Sequence, residues 1–188
     1  MLLVFTTTRN NKDNKRQHLT AGAVKMLLAL RQLKQHKQHK DSIMVDIAKL
    51  KEMMFDVVGA IYEVHKELGA GLNESCYQEG LEIQLLEDDI PFNREMSFRP
   101  YYHGRLMDTS FRIDFLCKDC VVVECKAVSE LNATHRAQLF NYMRLLQKPC
   151  GILANFSLKY VQVERYLYDA DKNEILSIEG RLLHQLRF

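Results

Sequence analysis

The sequence has no run of eighteen apolar residues, and so it offers no transmembrane helix. The opening MLLVF is too short for the apolar region of a signal peptide, and polar residues follow at once. Cysteines are odd in number and lack a framework spacing: Cys76, Cys117, Cys120, Cys125 and Cys150. That pattern excludes a disulfide-stapled secreted domain and points to a reducing, cytoplasmic setting away from membranes. Acidic residues are nearly missing from the first forty positions, where Asp13 stands alone against nine Lys and Arg. The rest of the chain reverses the balance, with 17 Lys and Arg against 23 Asp and Glu. A basic arm on a mildly acidic body is compatible with nucleic-acid contact, with a solvated leader, or with a transit peptide richer in Lys than in Arg and Ser.

What is present is ordinary material for a globular domain. The 188 residues are 47% hydrophobic and 27% charged, enough for a core without disulfides or a structural metal. Polar, low-complexity stretches fill the leader, and the domain boundary is placed near Asp41, dividing a basic extension (1–41) from a folded domain (42–188). From Ile43 the apolar residues Ile47, Leu50, Met54, Val57, Ile61, Val64 and Leu68 recur at three and four, which predicts an amphipathic helix. The glycines of LGAG end it, and Asn73 or a neighbour caps a second helix through Leu86 with Tyr77, Leu81 and Leu85 on one face. Strand-like runs follow: EMSFRPYYHG with a His-Gly turn, then MDTSFRIDFLC and CVVVECKA. ELNATHRAQLFNYMRLLQ reads as a helix, and CGILANF and YVQVERYLY read as strands. The last residues admit either a strand and turn or a short helix. Interleaved helices and strands predict one layered α/β domain with a mixed sheet.

The hairpin FRIDFLCKDCVVVECK carries charge where it should be apolar. Side chains alternate along a strand, so Glu124 and Lys126 share a face with Val122, opposite Val121, Val123 and Cys125. A three-residue turn, Lys118-Asp119-Cys120, sets Cys117 against Val121 and Asp114 against Glu124. Two carboxylates about 5 Å apart on one face repel. Either Lys126 neutralises them on a wet face, or a hard cation such as Mg²⁺ or Mn²⁺ sits between them. Two further motifs stand in order around the hairpin: GLNESCY gives Gly71-x-x-Glu74-x-x-Tyr77, and QLFNY gives Gln138-x-x-x-Tyr142, one helical turn apart.

With these motifs the sequence resembles the GxxExxY proteins, a branch of the PD-(D/E)XK nuclease superfamily with a RecB-type motif set. The segments that carry the resemblance are EVHKELGAGLNESCYQEGL, RIDFL, VVVECKAV, HRAQLFNYMRLL and GILANF. It implies a restriction-endonuclease-like core, in the order helix, three-strand meander, helix, strand, with an extra helix in front. It implies Asp114 and Glu124 as metal ligands, Glu74 as a further ligand or outer contact, and Lys126 as the group that positions water and offsets phosphate charge. It places Gln138 and Tyr142 beside the site and its substrate. The implied cofactor is Mg²⁺ or Mn²⁺, and the implied partner is nucleic acid, DNA before RNA. A homodimer, a subunit of a larger complex, and a catalytically silent module that keeps the fold all stay open.

Other residues carry two readings each. His135 lies three before Gln138 and either meets phosphate or bonds locally. Arg112 either pairs with Asp114 or reaches phosphate. Tyr77 either packs or takes part in chemistry, and His65 reads as structural. Cys125 replaces the usual aliphatic residue inside ExK and should face the core. Cys117-x-x-Cys120 lacks the further ligands that a zinc site needs. Of Tyr101 and Tyr102, one is expected in the core and one outside.

Overall fold

The three-and-four spacing becomes helix α1, residues 47–68 of the computed structural model, which describes residues 47–186. The basic extension read over 1–41 and the boundary near Asp41 lie outside the described residues. Met54, Val57, Ile61 and Val64 are buried, so the stripe faces the core. The helix stops where Gly69 and Gly71 take left-handed backbone, at φ +70° and +96°, and the Gly69 N–H closes on the His65 carbonyl at 2.9 Å. Helix α2 (Glu74–Glu87) then starts under an Asn73 cap, whose side chain accepts the Cys76 N–H at 2.9 Å. Tyr77, Leu81 and Leu85 are its buried residues, as the spacing predicts.

The strands are β1 (Phe92–Phe98), β2 (Tyr101–Tyr102), β3 (Arg105–Leu106), β4 (Phe111–Cys117), β5 (Val121–Lys126), β6 (Cys150–Asn155), β7 (Gln162–Asp169), β8 (Glu174–Ser177) and β9 (Leu182–Gln185). Helix α3 (Ala133–Leu146) joins β5 to β6. Seven strands form one sheet in the order β1-β4-β5-β6-β7-β8-β9. Only the β5–β6 pair is parallel, and a parallel pair needs a crossover, here α3. Alternation along β5 and β6 divides the core. Val121, Val123, Cys125, Ile152 and Ala154 pack with α1 and α2. Val122 and Leu153 pack with Leu139, Tyr142 and Met143 of α3. Gly151 lets α3 approach, since a Cβ there would lie 2.3 Å from Met143 Sδ. This is the mixed α/β architecture expected. No helix among the described residues is long and apolar enough to cross a membrane.

The three-residue turn is present, with Lys118 and Asp119 both in left-handed backbone. Cys117 opposes Val121 as read from the sequence. Three details depart from expectation or resolve it. The run EMSFRPYYHG divides at Pro100, and its second half pairs with Arg105–Leu106 as a small hairpin outside the main sheet. Tyr101 and Tyr102 are therefore both exposed, because a two-residue strand standing clear of the sheet has no core face to fill. The C-terminal segment, open between strand and helix, forms β8 and β9, which extend the sheet beyond β7.

Tyr77 ties the segment before α2 to the core. Its hydroxyl donates to the Gly69 carbonyl at 2.8 Å and accepts the Leu72 N–H at 3.1 Å. Its ring stacks on Phe156 at 4.7 Å. Replacing Tyr77 by Phe keeps the stack but strands both backbone groups, so a loss of ~1–3 kcal/mol is expected in chemical denaturation.

Candidate active site

Four charged side chains meet near the carboxyl end of β5. The β4–β5 ladder runs only from Cys117–Val121 to Phe115–Val123. Past that point no backbone pair is formed. The carboxylate of Asp114 fills the place, with Oδ2 accepting the Cys125 N–H at 2.8 Å. The expected Asp114–Glu124 ladder pair is therefore replaced by a side-chain-to-backbone bond. A local irregularity accompanies the change. Glu95 of β1, opposite Asp114, sits in left-handed backbone at φ +51°. Ile113 and Phe115, two residues apart, belong to different core clusters. The strand turns over at Asp114, and its carboxylate swings toward β5.

Glu124 is 1% exposed and Lys126 is 9% exposed. The Lys126 ammonium lies 3.3 Å from Glu124 Oε2, while Glu124 Oε1 is buried with no hydrogen-bond partner. The wet-face reading of the hairpin is thus excluded for these two groups. Burial pushes the Glu124 carboxyl up to about 8, the Asp114 charge adds to the rise, and Lys126 opposes it. Burial also raises Asp114, against the hydrogen bond from Cys125 and the charge of Lys126. Half-buried Glu74, at the first turn of α2, is raised in the same way, opposed by Lys126 and by the Ala127 N–H. Burial would lower Lys126, but Glu124, Glu74 and Asp114 outweigh it and hold the ammonium above its usual range.

The remaining candidates take distinct places. Gln138 Nε2 donates to Tyr142 Oη at 3.2 Å. Tyr142 is buried edge-on to Phe98 and Phe111. Among the described residues neither bonds to the carboxylates. His135 belongs to the N-terminal capping box of α3, and its Nδ1 accepts the Asn132 N–H at 3.2 Å. Arg112 pairs with Glu95 at 3.4 Å on the surface and pulls Asp114 down only weakly. Tyr77 is a packing residue, and His65 bonds the Leu158 carbonyl at 2.8 Å. Cys125 is buried and packs with the α1–α2 core, as expected. Two contributors escaped the sequence reading. Gln78 lies beside Asp114 and lowers its carboxyl; its spacing of four from Glu74 was the available signal. Asn155, fully buried beside Lys126, holds both the N–H and the carbonyl of Val128, at 3.0 and 2.8 Å.

Among the described residues no three His, Cys, Asp or Glu side chains stand ready as a ligand set. Lys126 instead supplies the positive charge that the carboxylates face. The donor chemistry nevertheless suits a hard divalent cation: three carboxylates whose pKa values burial raises, with the Asp114 charge adding to the rise of Glu74 and Glu124, and one buried oxygen without a partner.

These shifts have a direction that can be measured. A carboxyl raised in the folded state adds stability while protonated and loses it as pH climbs from its ordinary value through its folded one. For Glu124 that window runs from 4.5 to about 8. Chelator-treated protein is expected to lose up to about 5 kcal/mol across it, at ~1.4 kcal/mol per unit. Glu124→Gln should flatten the profile in denaturant titrations run at successive pH values.

The model of the PD-(D/E)XK nuclease superfamily matches residues 51–166, from α1 into β7, a span that contains every residue discussed for the site. No curated protein matches the chain. The crystal structure of SSO0001 aligns at 19% identity and a TM-score of 0.41, over 49% of this chain and 48% of that one, a likeness too slight to carry an argument. With the mixed sheet and the restriction-endonuclease-like order of elements, the match over more than half its length assigns this chain to the PD-(D/E)XK nuclease superfamily.

Proposed function

We propose that the protein is a divalent-metal-dependent nuclease of the GxxExxY branch, hydrolysing phosphodiester bonds in DNA in preference to RNA. The observation that carries the reading is the convergence of Glu74, Asp114, Glu124 and Lys126, from three separate elements, on one buried, charge-frustrated spot. Surface charge pairs have no reason to be buried at such expense.

Asp114 and Glu124 would hold Mg²⁺ or Mn²⁺, with Glu74 as a third oxygen donor. The ion, when bound, lowers the pKa of water and offsets charge on the phosphate. The chain's own contributions are positional. The Cys125 N–H fixes one oxygen of Asp114, which leaves the other free to turn outward. Gln78 steadies the same carboxylate from α2. Lys126 stays charged at neutral pH because three acids surround it, so it offers a fixed positive donor to a phosphate oxygen. Gln138 and Tyr142, joined on α3 by a 3.2 Å hydrogen bond, would contact the substrate, as the resemblance implies.

Mg²⁺- or Mn²⁺-dependent cleavage is expected in an assay that offers single- and double-stranded DNA and RNA. Asp114→Ala and Lys126→Ala should each reduce it by ~10²–10⁴. No cleavage of any of the four substrates, or cleavage that survives either substitution, would rule the reading out. A separate result concerns the lysine. Its ammonium competes for Glu124, so Lys126→Ala should bind Mn²⁺ at least as tightly as the parent in calorimetry while losing activity.

A further inference from the structure

Because β5 and β6 run parallel, their carboxyl ends lie side by side, and Asn155 pairs with Lys126. The segment leaving β6 therefore begins next to the charged cluster, where the Phe156 N–H donates to the Lys126 carbonyl at 2.8 Å. This segment, residues 156–161, is anchored along its length. Phe156 is buried under Tyr77, Val161 is buried, and the Leu158 carbonyl meets His65 Nε2 at 2.8 Å. Between it and the end of α1 opens a cleft of about 450 Å³.

The lining combines exposed aromatic rings with lysines. Tyr62 of α1 is 51% exposed and Tyr160 is 75% exposed, so two aromatic rings face water from held backbone. Lys159 stands over the Tyr160 ring, 5.3 Å from its centroid. Lys66 pairs with Glu63 at 2.7 Å yet remains 75% exposed. The lining carries Lys66 and Lys159 against Glu63, with Glu67 also acting on Lys66, so Lys159 is the cation of the cleft that no carboxylate in the lining pairs. Gly69, also in the lining, is five residues from Glu74, so at most ~18 Å of extended chain separates them. A nucleic-acid strand a few nucleotides long would touch both.

We propose that this cleft holds an unpaired nucleotide of the substrate strand, with Tyr62 and Tyr160 stacking on the base and Lys66 and Lys159 facing phosphate. Exposed aromatics beside lysines are the chemistry of single-strand recognition, since each base offers a π-face that duplex pairing conceals. A continuous duplex would present phosphates to the lysines and nothing to the tyrosines. The inference rests on the nuclease reading above and narrows its substrate class to single strands, flaps or frayed ends.

The test is fluorescence anisotropy on the full chain, with calcium as the divalent ion, using a labelled oligothymidylate and a blunt duplex of equal length. The parent should bind the single strand more tightly. Tyr160→Ala should weaken that binding ~5- to 100-fold, leave duplex binding unchanged, and be rescued by Tyr160→Trp. Lys66→Ala and Lys159→Ala should each lower the salt slope by about one. An unchanged thermal midpoint checks that the Tyr160 variants stay folded. Equal losses on both probes, no loss on either, failure of the Trp rescue, or a parent preference for duplex each overturn the cleft assignment. Metal-dependent cleavage that persists under any of those results leaves the nuclease reading standing. A parent that neither binds nor cleaves nucleic acid removes both. Tight binding of a protein partner at the cleft with no effect of Tyr160→Ala on single-strand affinity also overturns the assignment.

Discussion

The hydrogen bond from the Cys125 N–H to the Asp114 carboxylate is the contact on which the site depends. An antiparallel ladder would normally take that N–H for a backbone carbonyl and close the gap between β4 and β5. Here the ladder ends at Phe115–Val123, and a carboxylate occupies the next rung. Two results follow together. The backbone donor is satisfied, which a buried N–H requires. The acid is also drawn into the sheet, within electrostatic reach of Glu124 and Lys126. Opening the strands without Asp114 would strand a donor, and placing the acid without opening the strands would leave it no room.

The second constraint is electrostatic. Burying Glu124 at 1% exposure is unfavourable unless something answers its charge. Lys126 answers one oxygen and leaves the other without a partner. Packing from both sides of the sheet therefore adds to the contacts within the cluster. On one side Tyr77 clamps the turn that delivers Glu74. On the other, α3 comes close to β6 because Gly151 has no side chain, and its Arg136 is tied to Glu164 of β7 at 2.6 and 2.8 Å. Burial would raise Glu164, yet the bonds from Arg136 and Tyr166 hold it below its usual range. That second pair is a satisfied ion bridge, in contrast with Glu124, one oxygen of which is buried without a partner.

Much of this was readable from residue order. The stripe from Leu50 to Val64, the Asn73 cap, the three-residue turn and the shared neighbourhood of Asp114, Glu124 and Lys126 all follow from local periodicity and turn length. What was not readable depends on distant chain. The break in the ladder at Asp114 goes with a left-handed Glu95 on a strand nineteen positions earlier. Asn155 looked like the end of an apolar strand, and only the parallel pairing sets it beside Lys126. Tyr101 and Tyr102 alternate like a half-buried strand, but alternation cannot tell a sheet edge from a hairpin that stands free. The C-terminal strands needed a β7 edge to pair with, which no local pattern announces.

The parallel β5–β6 pair also sets an order of events. Asp114, Glu124 and Lys126 all precede α3 in the chain, but the strand that holds β5 in register on its far side comes after it. Long-range pairing of this kind forms late, because the intervening chain must first be closed. Until Cys150–Asn155 docks, Lys126 has no Asn155 beside it and the segment from Phe156 has no anchor. A partly folded chain therefore carries the charged residues without their arrangement.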